Sequence, residues 1–195
     1  MLIVLGGLLG VGLGFAAGGS LQRLASIRLR WPWVVLVALL VKEAGLFGPL
    51  ARWDYTPLLY VASLVLLIAW TVYHRDVLPG IPLVSLGLLM NVVVMAANGG
   101  RMPVSPDLLS NAPPALIEQL HRTGHVGQYV LMTASTRLGF LGDIVAYPDP
   151  VSRIFPQAYS AGDLVSLLGM LVVGYFSVRT KPLATPPPGS APSPR

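Results

Sequence analysis

Residues Leu2–Gly18 read LIVLGGLLGVGLGFAAG, a stretch without a charged side chain. A helix that crosses a bilayer needs roughly 17 to 25 mostly apolar residues, so this stretch predicts a membrane-spanning helix. The basic residues Arg23, Arg28 and Arg30 follow the apolar run. A cleavable signal peptide has the reverse order, with its positive charges first. We therefore expect a retained first helix whose N-terminus lies outside.

Four more apolar stretches follow the first, and aromatic residues flank most of them. Only 11% of the residues are charged, whereas a soluble domain carries about 25%. The predicted fold class is therefore an all-α integral membrane protein, a bundle of about five transmembrane helices in residues 1–180. A re-entrant or sixth apolar element within 126–146 is the alternative that would change the number of spans. The predicted spans are 2–18, 33–50, 57–73, 83–97 and 164–178.

The arginines of the short loops predict the orientation, because cytoplasmic loops are enriched in Lys and Arg. Alternation of the spans leaves 98–162 as one long external segment, which we expect to lie on or dip into the outer leaflet. The Pro-rich residues 181–195 predict a disordered cytoplasmic tail. The positive-inside pattern also explains the net charge of +5, so the expected partner is the lipid bilayer and not nucleic acid. The residues assigned to the cytoplasm are Arg23, Arg28, Arg30, Arg75, Arg179 and Lys181.

The glycines of the first helix recur at every fourth residue, at Gly6, Gly10, Gly14 and Gly18. This spacing aligns them along one helix face, where a second backbone can approach closely. The partner is either another helix of the same chain or, in a homo-oligomer or with another membrane protein, a helix of a second chain.

Polar residues near the outer ends of the predicted spans suggest a site. Glu43 interrupts the second span, and ionisable residues inside a membrane often mark function. Asn91 and Asn98 are seven residues apart, close to one helix face, and Asn98-Gly99-Gly100 predicts a turn. We expect one outward-facing pocket in which Arg101 keeps at least one aspartate ionised. Its predicted residues are Asn98, Arg101, Asp143 and Asp163, with Glu43 or Asn91 at the floor.

Two Gly-Asp motifs, Gly142-Asp143-Ile144 and Gly162-Asp163-Leu164, carry the strongest hint of chemistry. Two carboxylates held close together can share a proton and activate water. This predicts a catalytic pair, Asp143 and Asp163. The alternative is structural: Asp163 would be the N-cap or first-turn acid of the last helix. Asp143 would then cap a helix or pair with Arg137 or Arg153.

Glu118, His121 and His125 have offsets of 0, 3 and 7, which would place them on one helix face. Carboxylate and imidazole groups in this arrangement can bind zinc. Gly124 and Gly127 weaken the helix, however, and no fourth ligand is apparent. The favoured interpretation is the solvated face of an interfacial helix, and no metal or other cofactor is expected.

The order of these motifs resembles a family of small bacterial multi-pass membrane proteins of unknown function. That resemblance implies the bacterial cytoplasmic membrane and supplies no activity. The segment Asp163-Leu-Val-Ser-Leu-Leu-Gly is also similar to the start of the last helix in lipoprotein signal peptidase, where a catalytic Asp acts at the outer membrane face. Around its other catalytic Asp, that family has an Asn and an Asp-Arg pair, where this chain has Phe140-Leu-Gly-Asp-Ile. The family motifs are Asn98-Gly-Gly-Arg-Met-Pro-Val-Ser, His121, Thr136-Arg-Leu-Gly-Phe-Leu-Gly-Asp143 and Ser160-Ala-Gly-Asp163.

Three functions follow from these patterns. The first is a non-catalytic membrane component or accessory subunit, in which the polar residues pack and cap helices. The second is a small transporter or channel, with Glu43, Asn91 and Asp163 along its pathway. The third is an intramembrane aspartyl-type hydrolase that uses Asp143 and Asp163 at the outer face.

Overall fold

The computed structural model describes residues 2–46, 55–111, 114–146 and 158–179, with the backbone alone for 42–46, 110–111 and 115–116. The described part is mostly helical, with 65% of its residues in helices, as the apolar stretches predicted. The tail 181–195 lies outside it. The helices are α1 (Leu2–Ala16), α2 (Leu21–Ala25), α3 (Trp33–Leu46), α4 (Thr56–Tyr73), α5 (Ile81–Ala97), α6 (Pro114–Thr123) and α7 (Ala161–Ser177).

Each of the five long helices, α1, α3, α4, α5 and α7, overlaps one of the predicted apolar stretches. The principal contacts join them in the order α1–α7–α5–α4–α3. Their main apolar core lies between α4 and α5, where Leu64, Leu88 and Met95 are buried. Of the described helices, α4 alone has the 18 residues and the composition that a spanning helix requires. The apolar helices α1, α5 and α7 have between 10 and 17 residues.

The contact between α1 and α7 depends on glycine. Gly6, Gly10 and Gly14 are buried, and a Cβ added at Gly10 would lie 2.9 Å from the backbone nitrogen of Tyr175. The predicted glycine face therefore packs against a helix of the same chain. Gly18 does not belong to that face, because α1 ends at Ala16 and Gly18 has a φ of 87° with nothing within 4 Å of an added Cβ. A homo-oligomer built on this face would have to displace α7.

The prediction of an all-α fold is wrong for the long segment after α5, which forms a five-stranded sheet. Its order is β2-β3-β1-β4-β5, with β1 parallel to β3 and β4 and with antiparallel pairs at both edges. The strands have only two to four residues, too few for the alternation that reveals a strand in sequence. They are β1 (Met102–Val104), β2 (His125–Val126), β3 (Tyr129–Leu131), β4 (Asp143–Ala146) and β5 (Ala158–Ser160).

The sheet has its own small apolar core, which includes Val104 from β1, Leu109 from a 3-10 turn and Leu120 from α6. The amphipathic helix α6 thus packs its apolar side on the sheet. In the range 126–146 the chain forms short strands and turns, and not the re-entrant or sixth helical element that the sequence left open. The sheet, α6 and the turns between them are called the sheet unit below.

Backbone and side-chain hydrogen bonds gather the arginine-rich ends of the helices. Arg23 Nη1 donates to the Arg179 carbonyl at 3.1 Å, which joins α2 to the residues that follow α7. The backbone N–H of Arg30 donates to His74 Nε2 at 3.0 Å, which joins the start of α3 to the end of α4. The sheet unit follows the other end of α5 and precedes the start of α7. The sheet unit therefore lies at the opposite end of the five packed long helices, called the helix layer below, from Arg23, Arg30, Arg75 and Arg179.

Candidate functional site

The central polar cluster joins Asn91 of α5 to Ser160 and Asp163 at the start of α7. Ser160 is the N-cap: its hydroxyl accepts from the Asp163 N–H at 3.0 Å, while the Asp163 carboxylate accepts from the Ser160 N–H at 3.1 Å. Such a capping box satisfies backbone donors that a helix start would otherwise leave unpaired. Asp163 is therefore an acid in the first turn of α7, as the structural alternative predicted.

Asn91 completes this cluster from the neighbouring helix. Its amide nitrogen donates to Asp163 Oδ1 at 3.0 Å, and its amide oxygen accepts from the Ser160 hydroxyl at 2.8 Å. Asn91 is 4% exposed and Ser160 is fully buried. Each oxygen of Asp163 thus accepts a hydrogen bond within the protein.

Glycines bring the two helices close enough for these bonds. A Cβ added at Gly162 would lie 2.8 Å from the side-chain carbon of Asn91, and one at Gly87 would lie 2.7 Å from the Ser166 nitrogen. Real Cβ atoms do not approach other atoms so closely. The glycines at these two positions therefore let α5 and α7 meet backbone to backbone, as small residues do in helix pairs.

The second aspartate, Asp143, lies on the adjoining strand and is 5% exposed. In the antiparallel β4–β5 pair its partner is Ser160, the residue that also caps α7. Asp143 thus pairs across the strands with Ser160, and Asp163 accepts a hydrogen bond from the same residue, so both aspartates adjoin Ser160. This nearness is compatible with a catalytic pair, but the proton sharing of Asp143 and Asp163 stays a prediction.

Asn98 and Arg101 have different partners from those we expected. The Asn98 amide accepts from the backbone N–H of Arg137 at 3.0 Å and donates to the Arg137 carbonyl at 2.8 Å, which ties the end of α5 to the loop before β4. Arg101 Nε donates to the Gly127 carbonyl at 3.3 Å. Within the described ranges, the ion pair found is Arg75–Asp76 at 3.5 Å. Arg101 is not seen paired with an aspartate there, and its role as their charge partner stays a prediction. The Glu43 side chain lies outside the described residues.

The weak zinc candidate is not assembled. Glu118 and His121 are exposed on α6, but the helix ends at Thr123 and His125 lies in β2. Gly124, with a φ of 73°, turns the chain between Thr123 and His125. The helix therefore ends before His125, as the glycine at this position suggested. No group of three His, Asp or Glu side chains in the described part could hold a metal ion.

The sequence profile of a family of unknown function, DUF5317, matches residues 26–175. The chain belongs to this family. The resemblance to an uncharacterised family is thereby confirmed, and the match covers α3 to α5, the sheet unit and most of α7. Comparison with curated proteins and with solved structures gave no match. The local likeness to lipoprotein signal peptidase stays untested.

Sequence reasoning did not recognise that Ser160 connects the whole cluster. The signal was present, since Ser160-Ala-Gly-Asp163 before an apolar run has the spacing of a capping box. The bond between Asn91 and Ser160 had no comparable signal, because the two residues are 69 positions apart. Gly87 and Gly162 were likewise not identified as points of close contact between α5 and α7.

Proposed function

We propose that this protein is a non-catalytic component of the bacterial cytoplasmic membrane, whose helix layer spans the bilayer and holds the sheet unit at the outer face. The first support is the outward apolar surface of the helices. Leu8 on α1, Leu40 on α3 and Leu58 on α4 are each more than 60% exposed. Apolar surface in water costs about 25 cal/mol per Å², and a helix layer with such side chains outside is suited to lipid.

Helix length sets a condition on this proposal. At 1.5 Å per residue, the 14 to 18 residues of the five long helices extend about 21 to 27 Å, against a hydrocarbon core of about 30 Å. Short spans are accommodated by local thinning of the bilayer and by flanking residues that reach the headgroups. Trp31 and Trp33, both more than half exposed beside the start of α3, are suited to that interfacial role.

The orientation proposed is N-terminus outside and C-terminus in the cytoplasm. Arg23, Arg30, Arg75 and Arg179 lie at one end of the helix layer, which the positive-inside rule assigns to the cytoplasm. The sheet unit at the opposite end is then outside. The DUF5317 match, over residues 26–175, includes both the sheet unit and the helices α3 to α5 that support it.

The observation that carries the non-catalytic role is that both oxygens of Asp163 accept hydrogen bonds from Asn91 and Ser160 within the protein. A polar network whose hydrogen bonds are all made within the protein makes the surrounding structure more rigid. Among the described residues, the principal helix contacts also run in a row and not in a closed ring, which favours a scaffold over a transporter or channel. The aspartyl hydrolase is the second candidate, favoured by the meeting of both Gly-Asp motifs at Ser160.

Single cysteines test the membrane topology directly, because the chain has none of its own. Ser26 and Ser135 are exposed at opposite ends of the protein. In intact cells, an impermeant maleimide should label Ser135→Cys and not Ser26→Cys, while both should react after the cells are opened. Labelling of Ser26→Cys in intact cells would reverse the proposed orientation.

Peptide cleavage separates the scaffold from the hydrolase. The purified full-length protein in detergent should leave membrane-anchored peptides uncut. If it cleaves them and Asp143→Asn and Asp163→Asn each abolish the cleavage, the hydrolase replaces the scaffold.

A further inference from the structure

A groove of about 400 Å³ opens at the end of the helix layer nearest the sheet unit. Pro57, Leu58 and Val61 of α4 form one side, and Ala96 of α5 with Gly99 and Arg101 forms the other. The walls are mostly apolar, and the groove is within the size range of small-molecule sites. It is continuous with the outward apolar surface of α4, where Leu58 is 65% exposed.

Arg101 supplies the charge at this groove. Within the described ranges its side chain makes one hydrogen bond, from Nε to the Gly127 carbonyl, and no carboxylate there forms an ion pair with it. The bond orients the guanidinium and leaves the Nη groups for another acceptor. A guanidinium binds phosphate oxygens through two parallel hydrogen bonds, which an ammonium group cannot do.

Glycine keeps the mouth of the groove open. Gly99 has a φ of 69°, and nothing lies within 4 Å of a Cβ added there. Gly100 also has a positive φ, 79°, and lies against Pro57 of α4. The turn after α5 therefore places Arg101 beside the groove without a side chain in between.

We propose that this groove binds one anionic glycerophospholipid, with an acyl chain along Leu58 and Val61 and the phosphate on Arg101. Charge complementarity selects the occupant: an apolar slot, with a cation at its polar end that pairs with no described carboxylate, matches a lipid with a negative headgroup. The inference rests on the proposed membrane location. It adds a specific lipid site at the outer boundary of the bilayer.

Native mass spectrometry of the full-length protein in mild detergent tests the site, with phosphatidylglycerol and phosphatidylcholine of identical acyl chains as probes. The wild type should retain phosphatidylglycerol about fivefold better than phosphatidylcholine. Both lipids present the same phosphate, but the choline cation of phosphatidylcholine cancels the negative charge that attracts Arg101. Arg101→Gln should remove the preference. Arg122→Gln, at an exposed arginine of α6, is the matched control and should keep it. Equal preference in Arg101→Gln and wild type, or equal loss in Arg122→Gln, would overturn the site.

A second pair of variants tests the apolar part of the groove. Ala96 and Leu89 are both exposed on α5, but only Ala96 lines the groove. Ala96→Trp should lower retention of both lipids severalfold, and Leu89→Trp should not. Similar retention by the two tryptophan variants would place the lipid elsewhere and overturn the proposal.

Alkaline carbonate extraction of the wild type tells failure of the site from failure of the membrane proposal. A chain that stays in the membrane but shows no lipid preference refutes the lipid site alone. A chain that carbonate releases refutes the membrane location and the lipid site together.

Discussion

The side-chain amide of Asn91, within α5, donates a 3.0 Å hydrogen bond to the carboxylate of Asp163 in the first turn of α7. The amide oxygen of the same Asn91 accepts from Ser160, the last residue of β5. One asparagine thus connects two helices of the layer to the edge of the sheet unit. Because Asn91 and Ser160 are buried, the loss of a partner leaves their polar atoms without a hydrogen bond, which costs stability.

Replacement of Asp163 by Asn should destabilise the protein despite the equal size of the side chains. Both carboxylate oxygens accept hydrogen bonds, one from the Asn91 amide and one from the Ser160 N–H. In Asn, an NH₂ group would replace one of these oxygens, and it would face another donor. We expect a loss of about 2 kcal/mol in the free energy of unfolding, measured by thermal denaturation in detergent. Asp107→Asn, at an exposed carboxylate in the sheet unit, is the control and should change little. Wild-type stability of Asp163→Asn would show that the cluster is not a structural joint.

Alanine at Gly10 should disrupt the packing of α1 on α7, whereas alanine at Gly12 should not. A Cβ at Gly10 would lie 2.9 Å from the Tyr175 nitrogen, and one at Gly12 would have nothing within 4 Å. Overpacking of this kind costs about 1 to 3 kcal/mol, while Ala in place of Gly favours a helix by somewhat less than about 1 kcal/mol. Melting temperatures in detergent should therefore shift in opposite directions, and equal shifts would refute the glycine face.

His74 should be required for the packing of α3 against the end of α4. The ring is 2% exposed, its Nε2 accepts from the Arg30 N–H, and its Nδ1 lies 2.8 Å from the Trp70 carbonyl. His74→Ala removes both bonds and leaves a cavity, so unfolding should become easier by about 2 to 3 kcal/mol. His121→Ala, at an exposed histidine on α6, should have little effect on the same melting curve.

Asn98→Asp should loosen the loop before β4 while it preserves the shape of the side chain. The Asn98 amide nitrogen donates to the Val94 and Arg137 carbonyls, and a carboxylate would instead face these oxygens as an acceptor. We expect faster proteolysis near Arg137 in the purified protein. Gln119→Glu makes the same change of chemistry on the exposed side of α6 and should cleave at the wild-type rate. Unchanged cleavage in Asn98→Asp would argue against the tie.

The sequence by itself determined the positions of the five long helices, because long apolar runs are a strong and local signal. It also identified the glycine face of Gly6, Gly10 and Gly14, because residues four positions apart lie on the same side of a helix. Gly18 has the same spacing, but only the structure revealed that α1 ends before it. The local alternative for Asp163, a first-turn acid, could likewise be read from neighbouring residues.

Only the tertiary structure decided which distant residues meet. The strands of the sheet unit are too short to show a pattern, and their pairing depends on contacts far apart in sequence. The bond between Asn91 and Ser160 forms only where α5 and α7 pack closely through Gly87 and Gly162. Helices are formed by hydrogen bonds between near neighbours, so a local sequence pattern predicts them. The cluster and the sheet depend on contacts between residues far apart in sequence, and a local pattern does not predict those contacts.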